Sequence, residues 1–152
     1  MKTRKYSRQR ESIKRCLMQR TDHPTADMIY SEIQKEYPNI SLGTVYRNLN
    51  LLVELGEASK LVCGDGYDRF DPDTKPHYHF VCRKCGAVSD LKMTLLKDLE
   101  HLASVYTNGT IEGHFMLFYG TCEHCKSTAN TMPQKKARKI QESIKEFAGE
   151  SN

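Results

Sequence analysis

SLGTVYRNLNLLVELGEASKLVCGDGYDRF, residues 41–70, holds a capped helix followed by a turn-rich extended pair. Ser41 is an N-cap residue, with a side-chain oxygen suited to an orphan helix-start N–H. Leu42, Val45, Leu49, Leu52 and Val53 recur at helical spacing and predict one buried side. Gly56 stops the helix. Gly43, Thr44, Arg47, Asn48 and Asn50 point mostly outward, with Tyr46 on the border. Beyond the stop, Ala58–Val62 and Tyr67–Phe70 read as extended runs around Gly64-Asp65-Gly66, a hairpin signal.

Upstream, residues 8–20 read as a helix capped by Ser7, with Ile13, Cys16 and Leu17 on one face. His23-Pro24 breaks the chain, and Thr25 caps a second helix striped by Ala26, Ile29, Tyr30, Ile33 and Tyr37, which Pro38-Asn39 ends. Three short helices and a hairpin describe a winged helix-turn-helix whose third helix enters the DNA major groove. Charge agrees. Residues 1–20 carry eight basic side chains and one acid, a balance of +7, which leaves −3 for the rest of a chain of net charge +4. A basic segment of this kind suits a polyanion, or it is a solvated tail and helix face.

Downstream, Pro72, Pro76 and mixed charge mark a linker at 73–76, dividing the chain into 1–72 and 77–152. Tyr78–Cys82 and Ala87–Leu91 read as strands flanking a cysteine knuckle. Leu95, Leu96, Leu99, Leu102, Ala103 and Tyr106 stripe a helix, and Ile111–Tyr119 is a β-prone strand. Ala137, Ile140, Ile144 and Phe147 predict a last amphipathic helix. The fold class is therefore α+β, and 152 residues suffice for one ordinary core or two small ones.

A staple is expected for a small second core. Cys82-Arg-Lys-Cys85 and Cys122-Glu-His-Cys125 offer four sulfurs in two close pairs. That donor set suits a closed tetrahedral zinc site, and two independent redox dithiols are the other reading. The 36 residues between Cys85 and Cys122 mean that the pairs bracket a whole strand-helix-strand unit, so a metal there would tie its ends together and contribute folding free energy. The N-terminus lacks the apolar run of a signal peptide, and no stretch is apolar for long enough to span a membrane. The expected compartment is the reducing cytoplasm, where paired cysteines bind metal more often than they form disulfides. Cys16 reads as a core residue and Cys63 as a hairpin residue.

A second, harder donor set lies nearby. His77 and His79 alternate on a strand, Asp71 precedes them, and Asp90 ends the next strand, close by if the two strands pair. Two histidines and two carboxylates suit an open site for Fe(II), Mn(II) or Zn(II), although His-x-His on a strand is also common polar surface. A zinc hydrolase built on these histidines lacks the His-Glu-x-x-His signature and leaves the helix-turn-helix unexplained. A DNA-binding zinc protein without a regulatory metal is a further reading.

From about Arg8 to Cys125 the chain resembles the ferric uptake regulator family of metal-dependent repressors. The resemblance rests on His23-Pro24-Thr25-Ala26-Asp27, Ser41–Leu49, Arg69-Phe70-Asp71, His77-Tyr78-His79, Cys82-Arg-Lys-Cys85-Gly86 and Tyr119-Gly120-Thr121-Cys122-Glu-His-Cys125. It implies a homodimer with an N-terminal winged helix and a C-terminal α/β dimerisation domain, acting on a palindromic double-stranded operator. It also implies structural zinc on Cys82, Cys85, Cys122 and Cys125. His23, Asp71, His77, His79 and Asp90 match the family's regulatory Fe(II) or Mn(II) site between its domains, and Tyr46 and Arg47, with Asn50 beside them, match its DNA contacts.

Peroxide-sensing members of the family tend to carry Asp where iron-uptake regulators carry Glu, and here that residue is Asp90. The resemblance thus implies a repressor inactivated when bound iron and hydrogen peroxide oxidise a ligand histidine, His23 or His77. An iron or zinc uptake regulator is the alternative. A further metal site found in some members has Tyr78 and Lys97 at two of its positions here, so its absence is expected, with His114 left as a structural residue.

Overall fold

Three side-chain oxygens start the three N-terminal helices. Ser7 Oγ accepts from the Arg10 N–H at 3.4 Å, Thr25 Oγ1 from the Met28 N–H at 3.3 Å, and Ser41 Oγ from the Thr44 N–H at 3.1 Å. Each oxygen satisfies a donor that a helix start leaves without an intrahelical partner. The computed structural model describes residues 6–96 and 98–127. The helices span Arg8–Met18 (α1), Ala26–Glu36 (α2) and Leu42–Glu54 (α3). Gly56, at φ 69°, ends α3 in a left-handed conformation that a Cβ disfavours. Replacing Ser41 with Ala should lower stability by about 1 kcal/mol, read as a shifted urea midpoint with unchanged slope.

The helices meet over Ile13, Leu17, Ile29, Ile33, Val45, Leu49 and Leu52, and Phe70 joins them from the hairpin. Two positions on α3 depart from expectation. Leu42 is 38 % exposed, because it occupies the first helical position, ahead of the buried Val45–Leu49–Leu52 stripe. Val53 is half-buried and packs against the core from its side.

The hairpin pairs Ser59–Val62 (β1) with Asp68–Asp71 (β2), Val62 opposite Asp68, so its second strand begins one residue later than the sequence suggests. Its loop is organised by a buried carboxylate. Asp65 Oδ1 accepts the Tyr67 N–H at 3.1 Å, and Asp65 Oδ2 holds Arg69 Nη2 at 2.7 Å. On the other edge of β2, the Phe70 N–H donates to Pro24 O at 2.9 Å, and Arg69 forms a bridge with Thr25. The break before α2 is thereby stitched to the wing.

A second compact unit begins at Lys75. Tyr78–Cys82 (β3) is the central strand of a three-stranded sheet in the order β4-β3-β5. Val88–Leu91 (β4) lies antiparallel to it and Leu117–Gly120 (β5) parallel. Leu99–Ser104 (α4) and Glu123–Ser127 (α5) are short helices. The helix expected from Leu95 to Tyr106 is shorter at both ends. Asp98, at φ 68°, is left-handed and offers no side-chain cap, so Leu95 and Leu96 fall outside the helix. No residue of α4 is buried within the single chain. The strand expected over Ile111–Tyr119 is confined to β5, because β3 offers pairing only from His79 to Cys82 and the preceding residues have no ladder to join. The amphipathic helix expected around Ala137, Ile140, Ile144 and Phe147 lies outside the described residues, as does Lys97. Among the described residues, no helix is long and apolar enough to cross a membrane.

Candidate metal centres and DNA-reading surface

Parallel pairing builds the sulfur site. β3 and β5 run side by side with Cys82 opposite Gly120, so both Cys-x-x-Cys turns leave the sheet at the same end. The Arg83 N–H donates to Gly120 O at 2.8 Å, continuing the pairing past the strand end. A Cβ on Gly120 would lie 3.1 Å from the Phe80 ring, which makes glycine the residue that lets β5 approach. Gly86, at φ 73°, turns the first knuckle back so that its N–H reaches Cys82 O at 2.8 Å. α5 carries Cys125 into the group.

The four sulfurs lie within 4.8 Å of one another, and Cys85 Sγ is 3.7 Å from Cys122 Sγ. A tetrahedron with Zn–S bonds of about 2.3 Å has sulfur–sulfur edges of about 3.8 Å, so the spacing fits zinc. All six cysteines are free thiols, which leaves these four available as ligands. The electrostatics point the same way. Burial pushes the Cys82 thiol up, but backbone N–H groups of Cys122, Cys85 and Lys84 outweigh it and bring it to about 6. Burial and the neighbouring Cys122, Cys85 and Cys82 sulfurs push Cys125 up to about 12. The crowd favours one thiolate among thiols. A dication is what allows all four to be thiolates at once.

Nitrogen and oxygen donors gather in each unit. In the first, His23 Nε2 lies 3.6 Å from Asp71 Oδ2, both side chains being at most 3 % exposed. His23 adopts φ 50°, a left-handed conformation, although a residue before proline favours extended backbone. A histidine held in that conformation costs on the order of 1–3 kcal/mol and is a mark of functional constraint. Asp71 ends β2, which the pairing to Pro24 and Thr25 holds beside His23.

In the second unit, His79 pairs opposite Asp90 across β3 and β4. Asp90 Oδ1 lies 3.1 Å from His77 Nε2 and 3.6 Å from His79 Nε2, and the two rings are 4.3 Å apart. His77 Nδ1 is 2.7 Å from Lys75 O. A carbonyl only accepts, so Nδ1 carries the proton, and the Nε2 of neutral His77 turns its lone pair toward a carboxylate oxygen. Two acceptors so close call for a proton or a cation on them. A ring whose second nitrogen is fixed by a backbone carbonyl is the usual posture of a metal-binding histidine.

Between the two histidines in sequence, Tyr78 points to the other face and is buried. Its hydroxyl accepts the Leu96 N–H at 2.9 Å and donates to His114 Nε2 at 2.8 Å, while His114 Nδ1 donates to Glu100 Oε1 at 2.8 Å. His114 is thus a hydrogen-bonded structural residue, and Glu100 is a partner that the sequence did not single out. Cys16 packs at the edge of the helical core. Cys63 is buried in the wing, where burial pushes its thiol up to about 11.

On α3, Arg47 is exposed, with Nη2 donating to Thr44 Oγ1 at 3.2 Å, and Asn50 is half-buried. Tyr46 is half-buried too. Its ring stands edge-on to Phe70 at 6.1 Å, and its hydroxyl donates to the Asp68 carboxylate of β2. Lys60 Nζ reaches the same Asp68 oxygen at 3.1 Å. The contact between Tyr46 and Asp68 is not legible in the sequence, because 22 residues separate them and no local pattern joins them. Part of the basic excess is paired locally, through Lys14–Glu57 at 3.0 Å and Arg15–Glu36 at 3.2 Å.

Comparison with known proteins was made on this basis. The family model for the ferric uptake regulator family matches residues 2–119. Over 122 residues the chain is 40 % identical to the peroxide-responsive repressor PerR of Staphylococcus epidermidis, covering 80 % of this chain and 81 % of that one. The crystal structure of the Campylobacter jejuni peroxide stress regulator is similar at a TM-score of 0.63 and 33 % identity, over 77 % of this chain and 88 % of that one. The Helicobacter pylori ferric uptake regulator Fur, described as having three functional metal binding sites, aligns at a TM-score of 0.70 over 82 % of this chain and 83 % of its own, and at 24 % identity it speaks for the fold.

Proposed function

The chain belongs to the ferric uptake regulator family, and from that premise we propose that it is a metal-dependent, DNA-binding transcriptional repressor that senses hydrogen peroxide. The observation that carries the peroxide reading is Asp90, whose short carboxylate stands 3.1 Å from His77 Nε2. The similarity to a PerR relative supports the same reading. Cys82, Cys85, Cys122 and Cys125 hold structural zinc. His23, Asp71, His77, His79 and Asp90 are the ligands of the regulatory Fe(II) or Mn(II). Residues 1–72 form the DNA-binding domain, 73–76 the linker and 77–152 the dimerisation domain. Tyr46, Arg47 and Asn50 face the operator, a palindrome read by two copies of the chain in the cytoplasm.

A second copy is also what the exposed apolar residues of the second unit call for. Leu102, Val105, Tyr106 and Phe115 are 62, 71, 90 and 58 % exposed. Large apolar side chains left this exposed, on a unit whose own core is small, suit burial in an interface.

The chain acts by binding rather than by turnover. Metal favours the DNA-competent shape because that shape binds it more tightly, and by the same linkage DNA tightens metal binding. Fe(II) held there would supply one-electron chemistry in both directions, giving an electron to hydrogen peroxide and taking one back from the oxidised ring, so that peroxide and an imidazole become water and 2-oxo-histidine with the iron again Fe(II). His23 and His77 are the rings positioned to be oxidised. An imidazole converted to 2-oxo-histidine is a poor ligand, so metal is lost, the dimer opens and the operator is released.

Peptide mass spectrometry tests this directly. Protein loaded with Fe(II) and briefly exposed to dilute peroxide should gain one oxygen on peptides containing His23 or His77, and the Mn(II)-loaded protein should not. Unmodified histidines, with iron loading confirmed, would make the chain an iron or zinc uptake regulator instead.

A further inference from the structure

Tyr46 is pinned at two points, its ring against Phe70 and its hydroxyl on Asp68. The same carboxylate holds Lys60, whose side chain is 35 % exposed against 25 % for Asp68. An acidic residue beside a DNA-reading helix repels phosphate, so a carboxylate here needs a compensating use. Its two partners suggest one. A carboxylate only accepts, so it takes the single proton of the Tyr46 hydroxyl. What Tyr46 then offers outward is oxygen lone pairs and the ring edge. Such a group meets the amino donors of adenine N6 and cytosine N4 and is refused by the acceptors guanine O6, guanine N7 and thymine O4. Lys60, meanwhile, is neutralised where it would otherwise be available to any phosphate.

We propose that Asp68 is a specificity-determining residue of the wing, which orients Tyr46 as an acceptor toward base edges and withholds Lys60 from sequence-independent phosphate contact. The inference rests on the DNA-binding reading above and adds the residue that sets its discrimination. It makes an unusual demand: removing Asp68 should strengthen the wrong binding while weakening selectivity. Lys60, once released, gains a phosphate, and Tyr46, once untied, rotates and donates to bases that it formerly refused.

The test uses the full-length, zinc-replete protein with Mn(II), a duplex selected by the wild type from a random pool, and a shuffled duplex of the same composition. Asp68→Ala should bind the shuffled duplex several-fold more tightly, with a salt slope steeper by about one. Its preference for the selected duplex should fall about tenfold. Tyr46→Phe, which keeps the ring on Phe70, should lose preference without the steeper slope. In the double variant, the loss of preference should be much less than the product of the two single losses, because both remove the same hydrogen bond.

Unchanged preference in Asp68→Ala, or losses that multiply in the double variant, would overturn the proposal. So would weaker binding of both duplexes by a variant that keeps wild-type zinc content and thermal transition. If Asp68→Ala does not fold, the Tyr46→Phe result decides alone: unchanged preference would overturn the proposal, and lost preference at an unchanged slope would support it. If the wild type selects no duplex at all, the DNA-binding reading itself fails, and that outcome is distinct from the others.

Discussion

Replacing Cys82 with serine, or stripping zinc with a strong chelator, should unfold the unit that begins at Lys75 while α1–α3 and the wing stay folded. The asymmetry follows from the two cores. Among the described residues, the first unit buries Ile13, Leu17, Ile29, Val45, Leu49, Leu52 and Phe70 almost completely, whereas the second buries Tyr78, Val81 and Val88 with two of the cysteines. Three apolar side chains do not offset the ordering entropy of that unit. A four-sulfur zinc site adds on the order of 10–16 kcal/mol of apparent binding free energy, which is folding free energy when no site exists in the unfolded chain. The expected measurement is calorimetric: one transition near the wild-type position for the helical unit, and loss of the other together with stoichiometric zinc release. Survival of both transitions in zinc-free protein would show that the cysteines are dispensable to the fold. Zinc retention should also weaken toward acid pH, since protons compete for the thiolates and Cys125 by itself holds its proton up to about 12.

His77→Ala should abolish the dependence of DNA binding on Mn(II) without removing zinc. Its ring is already set for a ligand, Nδ1 held by Lys75 O at 2.7 Å and Nε2 3.1 Å from Asp90 Oδ1. Loss of an outer-shell partner alone weakens metal binding by about 10–100-fold, and loss of a ligand should exceed that. Because coupling is reciprocal, the gain in operator affinity on adding Mn(II) should vanish along with metal affinity. The comparison is titration of Mn(II) with and without the selected duplex, alongside zinc content as a control. If Mn(II) still tightens DNA binding in this variant, the regulatory-site reading is wrong and the chain is a zinc-stapled DNA-binding protein whose histidines are polar surface.

Much of the architecture follows from short-range chemistry. Ser7, Thr25 and Ser41 are recognisable as caps because the hydrogen bond each makes closes within three residues. The α2 stripe, the wing and the edges of β3 are equally local, set by side-chain period and by turn residues. The α4 region was misread for the converse reason. Leu95, Leu96, Leu99, Leu102 and Tyr106 have helical spacing, but period alone does not reveal that Asp98 turns left-handed or that no residue of α4 becomes fully buried.

The candidate sites divide along the same line. The sequence by itself determined the donors: four sulfurs in two pairs and a histidine–carboxylate set. It also determined the helix-turn-helix with its wing, because residue type and short-range spacing are written in the chain. Only the tertiary structure decided what those groups face. The parallel pairing of β3 with β5 across a long crossover is what brings Cys82 and Cys85 to Cys122 and Cys125. The antiparallel register of β3 and β4 is what sets Asp90 opposite His79. The return of β2 past α3 is what gives the Tyr46 hydroxyl to Asp68. Each is a contact between residues far apart in the chain, and its geometry is fixed by backbone hydrogen bonding and packing that no local pattern encodes.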